Sequence, residues 1–197
     1  MPAVSAATGA APPPTKVVVE DIYGFLRVLD DGTVLRSAAE PAFCPTTFPD
    51  SHPSVQWKEA VYDKAKNLRV DFHGGGFCLG SCTWANVHAF CLRLAAEAGA
   101  VVLSAGYRLA PEHRLPAAVD DGAGFLRWLR EQSANPAAAD AWLAEAADFG
   151  RVFITGDSAG GTIAHHLAAR AGLAAAVTKR GEPGPGPDVD PVTVRGY

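Results

Sequence analysis

The chain has 197 residues, of which 48% are hydrophobic, and this length and composition suit one domain with a sizeable core. Its formal net charge of -4 and its singly scattered basic residues are not those of a protein that binds nucleic acid or an anionic membrane surface. No stretch approaches the roughly 20 apolar residues of a membrane-spanning helix. We therefore expect a small-molecule partner, no nucleic acid and no membrane. The oligomeric state stays open.

Residues 1–15 carry no charge, are rich in Ala and Pro, and lack the positive start and long apolar core of a signal peptide. We predict a disordered tail there, a domain over 16–197, and a cytoplasmic protein that could also enter the nucleus. Residues 27–36 are typical of a hairpin, with Asp31-Gly32 at its turn. Four cysteines lack the second pair or nearby histidines of a zinc site, so we expect reduced, packed thiols, no metal and no cofactor.

Alternation at Leu68, Val70 and Phe72 predicts the end of a strand. The intervening Arg69 and Asp71 are charged, although strands buried on both faces are continuous apolar runs. This strand is therefore predicted to be exposed, or its register is disturbed.

The segment His73–Phe77, with sequence HGGGF, follows that strand directly. Such a loop can aim backbone N–H groups at an oxyanion, and each well-placed donor is worth roughly 3 to 4 kcal/mol in acyl transfer. Gly74 and Gly75 are the candidate donors. A flexible turn or a phosphate loop are the alternatives, but no lysine with a following serine or threonine comes after Gly76, which argues against nucleotide binding.

Helices and strands alternate over the following residues. The spacing predicts a helix from Trp84 to Ala98 ended by Gly99, a buried strand over 101–105, a helix opened by Pro116 and a shorter helix around Leu143. This order predicts right-handed β-α-β units in a mostly parallel sheet. In the helix after Pro116, the predicted inward residues are Val119, Phe125, Leu126 and Leu129, and the predicted outward ones are Asp120, Asp121 and Arg127.

The segment Gly156–Gly161, with sequence GDSAGG, follows the apolar run Val152–Thr155 and precedes a helical pattern. A nucleophilic serine needs a sharp strand-to-helix turn, and glycines two residues either side permit its close approach. Ser158 is thus the predicted nucleophile, flanked by Gly156 and Gly160, and Ala159 is a third oxyanion donor. The bare G-x-S-x-G pattern occurs by chance in about one in ten such chains, so its setting carries the argument.

A third segment, Tyr107–Glu112 (YRLAPE), lies between the HGGGF and GDSAGG segments. With these three motifs in this order, the chain resembles plant carboxylesterases of the hormone-sensitive-lipase group of α/β-hydrolases. The resemblance covers roughly residues 16–197 and implies ester hydrolysis by Ser158, with residues 16–52 as a cap-like segment. His73 is expected to hold its loop by hydrogen bonds, Asp157 to point away from the nucleophile, and the YRLAPE segment to be a structural loop after a buried strand.

In this family an Asp or Glu and then a His follow the nucleophile. His165 and His166 fall on the same predicted helix as Ser158, about 10 to 12 Å further along its axis, and are not expected to act on it. Asp188 and Asp190 lie in a Gly/Pro-rich stretch, 179–191, predicted to be a mobile loop before a last strand over 192–197. The sequence thus predicts an incomplete α/β-hydrolase fold, shortened before the HGGGF segment and lacking the C-terminal strands.

Three functions fit these patterns. The first is a carboxylic ester hydrolase of small apolar esters or lactones, with little turnover in this chain because the triad acid and histidine are missing. The second is a non-catalytic small-molecule receptor, because gibberellin receptors resemble this family; they replace the third glycine, so Gly76 favours the enzyme. The third is a fragment without independent function.

Overall fold

The computed structural model describes residues 16–37, 54, 60–63, 66–68, 71–135, 137–180 and 194–196. The chain divides into two compact units, residues 1–39 and 40–197. The predicted tail over 1–15, Cys44, Arg69 and the pair Asp188 and Asp190 lie outside the described residues.

The first unit contains a three-stranded antiparallel sheet of β1 (Val18–Ile22), β2 (Leu26–Leu29) and β3 (Val34–Arg36). The predicted hairpin is confirmed, because β2 and β3 pair antiparallel around Gly32, whose φ is +81°. The Thr33 N–H donates to Asp31 Oδ1 at 3.0 Å and closes the turn.

The second unit carries short strands: antiparallel β4 (Ala60–Asp63) and β5 (Lys66–Leu68), then β6 (Asp71–Phe72), β7 (Val152–Phe153), β8 (Thr155–Gly156) and β9 (Val194–Gly196). β6 pairs in parallel with β8, and β7 pairs in parallel with β9. Phe72 also bridges in parallel to Ala105. The predicted parallel pairing is therefore confirmed, including a strand within 192–197.

The predicted buried strand over 101–105 is wrong in its extent. Ala105 is buried and its N–H donates to the Asp71 carbonyl at 2.7 Å, but Val101 is 41% exposed. Val101 follows the exposed turn at Gly99 and Ala100 directly, so the segment becomes buried only towards β6.

Among the described residues, four helices follow the predicted order: α1 (Ala85–Ala98), α2 (Ala117–Ala134), α3 (Ala141–Ala146) and α4 (Ala159–Arg180). Gly99 ends α1 in the left-handed conformation, and Asp140 caps α3 by accepting from the Trp142 N–H at 3.0 Å. Because α4 continues to Arg180, Lys179 belongs to a helix and not to the predicted mobile loop. The rest of that stretch, to residue 191, lies outside the described residues.

The core lies between the parallel strands and the helices α2, α3 and α4. Gly122 on α2 packs directly against Ile163 and Leu167 of α4, so the two helices approach closely at this point. The predicted inward face of α2 is confirmed at Phe125, Leu126 and Leu129. The largest fully buried side chains are Phe72, Phe125, Ile154, Ile163 and Leu167.

Asp121 corrects the predicted outward face of α2, because it is only 6% exposed. Its carboxylate accepts from the backbone N–H of Arg108 at 2.8 Å and from the Arg108 guanidinium at 2.9 to 3.1 Å. A buried carboxylate is tolerated when such charge-assisted hydrogen bonds replace its water. Asp121 therefore anchors the backbone and the side chain of Arg108 to α2.

We expect Asp121→Asn to lower the free energy of unfolding by about 1 to 2 kcal/mol, because the guanidinium loses its charged partner while the amide oxygen still accepts from the Arg108 N–H. Urea unfolding at pH 7 measures the change. The neighbouring Asp120 is exposed and serves as a matched control, since Asp120→Asn should change stability by less than about 0.5 kcal/mol. Equal effects of the two substitutions would contradict this account.

Candidate active site

The two glycine-rich segments begin at neighbouring strand ends. Parallel pairing sets Asp71 opposite Thr155 and Phe72 opposite Gly156, so His73 and Asp157 both follow the carboxyl edge of the same two strands. Gly160 packs on the Phe72 carbonyl, and Gly74 packs on the Asp157 carboxylate. The structure therefore brings residues 73–74 together with residues 157–160. Ligand sites of open α/β sheets form at this edge.

Ser158 occupies a strained turn between β8 and α4. Its φ is +49°, a conformation that few non-glycine residues adopt, and its side chain is exposed. The Ser158 carbonyl accepts from the Thr162 N–H at 3.0 Å, and the Asp157 carbonyl accepts from the Gly160 N–H at 2.8 Å. Glycine is required at 156 because any side chain there would overlap the Gly160 backbone. A strained serine on a strand-to-helix turn is the geometry of a nucleophile elbow.

The segment His73–Phe77, called the glycine loop below, turns sharply after β6. Gly75, Gly76 and Phe77 all have positive φ, at +118°, +60° and +63°. The Gly75 carbonyl accepts from the N–H groups of Cys78 and Leu79 at 3.0 and 2.9 Å. Within the part of the chain that the structure describes, the N–H groups of Gly74 and Gly75 have no protein acceptor.

Ala159 is the first residue of α4, so its N–H has no partner within the helix and lies at the positive end of the helix dipole. No acceptor for it is found among the described residues. Acyl transfer requires a nucleophilic hydroxyl and N–H donors of this kind aimed at the oxyanion. The sequence named the same residues.

His73 is buried under the glycine loop, with 2% of its surface exposed. Its Nδ1 lies 2.8 Å from the Gly74 carbonyl oxygen, and its ring stacks on Tyr107 with 4.3 Å between ring centroids. Burial lowers the pKa of His73, although the contact with Gly74 and the charge of Asp157 act in the opposite direction. Burial thus favours the neutral imidazole. The contacts with Gly74 and Tyr107 are compatible with a role of His73 in holding the loop, which stays a prediction.

The contact of Tyr107 with the glycine loop was not predicted from the sequence. It is 7% exposed, and its hydroxyl donates to the His73 carbonyl oxygen at 2.6 Å. Burial is the main cause that raises the pKa of Tyr107, and the nearby charges of Asp157, Cys78 and Asp71 act in the same direction. The phenol therefore keeps its proton and acts only as a hydrogen-bond donor to the loop.

Asp71 is buried in β6, contrary to the expectation of an exposed strand at this residue. It is only 4% exposed, and it pairs in register with Thr155, whose hydroxyl donates to Asp71 Oδ1 at 3.3 Å. Burial raises the pKa of the Asp71 carboxyl to about 6; the Thr155 hydrogen bond opposes this shift and the Asp157 charge adds to it. At Asp71 and Phe72 the strand is thus buried and paired in register with β8, whereas Arg69 and Val70 lie outside the described residues. The Asp71 carboxyl is buried with only part of its hydrogen-bonding capacity satisfied.

His165 and His166 lie on α4 as predicted, and both are exposed. Cys82 is buried, and Cys78 and Cys91 are half-buried, as expected of packed thiols. Within the described ranges, no three or more His, Cys, Asp or Glu side chains are grouped so that they could hold a metal ion. No helix in these ranges combines the length and the apolar character needed to cross a membrane.

A parallel sheet whose strand leads into a strained, exposed serine and then into a helix defines an α/β-hydrolase type of site. A model of the alpha/beta hydrolase fold family matches residues 69–181, and the chain belongs to this family. The fold class predicted from the sequence is confirmed.

Plant carboxylesterases are among the similar proteins, as the three motifs predicted. The chain is 40% identical over 173 residues to probable carboxylesterase 6 of Arabidopsis thaliana, covering 78% of this chain and 49% of that protein. It is 35% identical over 183 residues to the chloroplastic tuliposide A-converting enzyme 2 of Tulipa gesneriana, covering 82% and 46%. The chain therefore spans about half the length of the curated relatives it matches.

Solved esterases show a partial likeness. An esterase of the hyperthermophilic archaeon Pyrobaculum calidifontis has 41% identity and a TM-score of 0.42, covering 57% of this chain and 31% of the esterase. The esterase LipW of Mycobacterium marinum has 30% identity and a TM-score of 0.46, covering 64% and 40%.

Proposed function

We propose that this chain carries the nucleophile and the oxyanion donors of a carboxylic ester hydrolase that acts on small apolar esters or lactones. Ser158 is the nucleophile, and the N–H groups of Gly74, Gly75 and Ala159 bind the oxyanion. The observation that carries the proposal is the position of Ser158, exposed at φ +49° between β8 and α4. It lies beside a glycine loop in which the N–H groups of Gly74 and Gly75 have no acceptor among the described residues.

In this mechanism the Ser158 Oγ attacks the ester carbonyl carbon, and the carbonyl oxygen becomes an oxyanion. The hydroxyl proton needs a base. His73 is not placed to take it, because its Nδ1 contacts the Gly74 carbonyl, and His165 and His166 lie about 10 to 12 Å further along α4. We therefore propose slow turnover by the 197-residue chain, from the residual contribution of oxyanion binding, of order 10³ over water.

A fluorophosphonate probe tests the nucleophile directly. Its phosphoryl oxygen occupies the oxyanion position while the Oγ–P bond forms, the P–F bond breaks, fluoride leaves and the hydroxyl proton passes to buffer. We expect Ser158 to be labelled about 10²-fold faster than other serines, and Ser158→Ala to abolish this labelling. Intact-mass and peptide mass spectrometry measure both.

Ser133→Ala, on α2, is the matched control and should leave labelling unchanged. Equal labelling of the wild-type chain and Ser158→Ala would refute the nucleophile. Hydrolysis of p-nitrophenyl butyrate by the same preparations tests the second part of the proposal. Fast turnover that depends on Ser158 would show that the chain supplies a base, and would contradict slow catalysis.

A further inference from the structure

The glycine loop is held at both of its ends by one buried side chain. Tyr107 stacks on the His73 ring at the first end, with 14° between the ring planes, and its hydroxyl donates to the His73 carbonyl at 2.6 Å. At the second end, the Phe77 ring meets the Tyr107 ring edge-on, with 6.4 Å between centroids. Tyr107 thus contacts the first and last residues of the loop.

The segment that carries Tyr107 is itself anchored. The Ala110 N–H donates to the Phe77 carbonyl at 2.8 Å and adds a second link to the end of the loop. Between them, the backbone N–H and the guanidinium of Arg108 bind the buried Asp121 carboxylate on α2. Residues 107–110 therefore connect a rigid helix to both ends of the glycine loop.

The middle of the loop depends on these ends. Gly74, Gly75 and Gly76 have no side chains to pack, and glycine adopts many backbone conformations at little cost. The N–H groups proposed to bind the oxyanion belong to this middle section. Transition-state stabilisation by such donors falls steeply when they are displaced by a fraction of the hydrogen-bond length.

We infer that Tyr107 is a positioning residue that fixes the oxyanion donors of the glycine loop and thereby sets the rate of bond formation at Ser158. The inference rests on the proposed function. A tyrosine that only filled the core would affect stability and the amount of folded protein. A tyrosine that positions donors affects the rate constant of the folded protein.

Saturation kinetics of fluorophosphonate labelling separate these roles, because they give the maximal rate constant kinact, the half-saturating concentration KI and the labelled fraction. Tyr107→Phe keeps the ring and removes only the hydroxyl. We expect kinact to fall about tenfold, with KI and the labelled fraction unchanged. Tyr23→Phe removes a hydroxyl from a side chain that is 90% exposed, and it should leave all three quantities unchanged.

An unchanged kinact in fully labelled Tyr107→Phe would overturn the inference, and so would a loss confined to the labelled fraction. If Tyr107→Phe does not fold, Phe77→Leu weakens the other end of the loop, and the same reduction in kinact is required. Absence of Ser158 labelling in the wild-type chain would overturn the proposed function as well. Normal wild-type labelling with an unaffected Tyr107→Phe would overturn the positioning role alone.

Discussion

Gly160→Ala is expected to lower the free energy of unfolding by about 4 kcal/mol or more, enough to unfold a domain of ordinary stability. A methyl group at residue 160 would overlap the carbonyl of Phe72 and would lie 2.9 Å from the carbonyl oxygen of His73. Both obstacles are backbone atoms of β6 and the residue after it, so no rotamer change can make room. The helix α4 and the strand β6 would have to separate.

Gly172→Ala is the matched control, because it makes the same change on the same helix where nothing lies within 4 Å of the added methyl group. There alanine should raise stability by about 1 kcal/mol through its higher helix propensity. Urea unfolding followed by circular dichroism measures both variants. Similar stabilities of the two variants would contradict the close approach of α4 to β6.

Asp71→Asn is expected to raise the free energy of unfolding by about 2 to 3 kcal/mol at pH 8 and by almost nothing near pH 4. The folded-state pKa of Asp71, about 6, is above its ordinary value of 3.8. Between these values the folded chain binds more protons than the unfolded chain, so the carboxyl makes stability fall as pH rises from about 4 to 6. Each pKa step of one corresponds to about 1.4 kcal/mol.

The measurement is urea unfolding of wild type and Asp71→Asn at several pH values from 4 to 8. The difference between them isolates Asp71 from other titrating groups, including His73, whose lowered pKa has the opposite effect on stability as pH falls. Asp30→Asn, at an exposed position in the first unit, is the matched control and should change stability by less than about 0.5 kcal/mol. A pH-independent gain from Asp71→Asn would refute the buried carboxylate.

Local patterns predicted most of the elements correctly. The apolar spacing of Phe125, Leu126 and Leu129 placed the buried face of α2, and Gly99 marked the end of α1. The prediction that Asp121 faces outward was wrong because helical periodicity describes the residues of one helix only. Its partner, Arg108, lies thirteen residues earlier in a loop. Nothing in the pattern of α2 indicates that this loop residue contacts the helix.

In the candidate site, too, local patterns predict some features, whereas contacts between distant residues decide others. The motifs pointed to Ser158 and the glycines because the roles proposed for them depend on local backbone geometry, which short sequence patterns record. The role proposed for Tyr107 depends on a contact with His73, 34 residues away, and the burial of Asp71 depends on a partner strand 84 residues away. The charge of Asp71 between apolar residues was its only sign, and together with Arg69 it was compatible with an exposed strand as well.

The pairing of β6 with β8 also bears on how the chain folds during its synthesis. Asp71 and Thr155 are 84 residues apart, so the ribosome must add all the residues between them before β6 can gain this neighbour. Until then β6 has an open edge on that side, and the glycine loop lacks its packing of Gly74 on the Asp157 carboxylate. Contacts between distant residues close slowly. We therefore expect the glycine loop to acquire its final conformation late, after residues 155–157 have emerged.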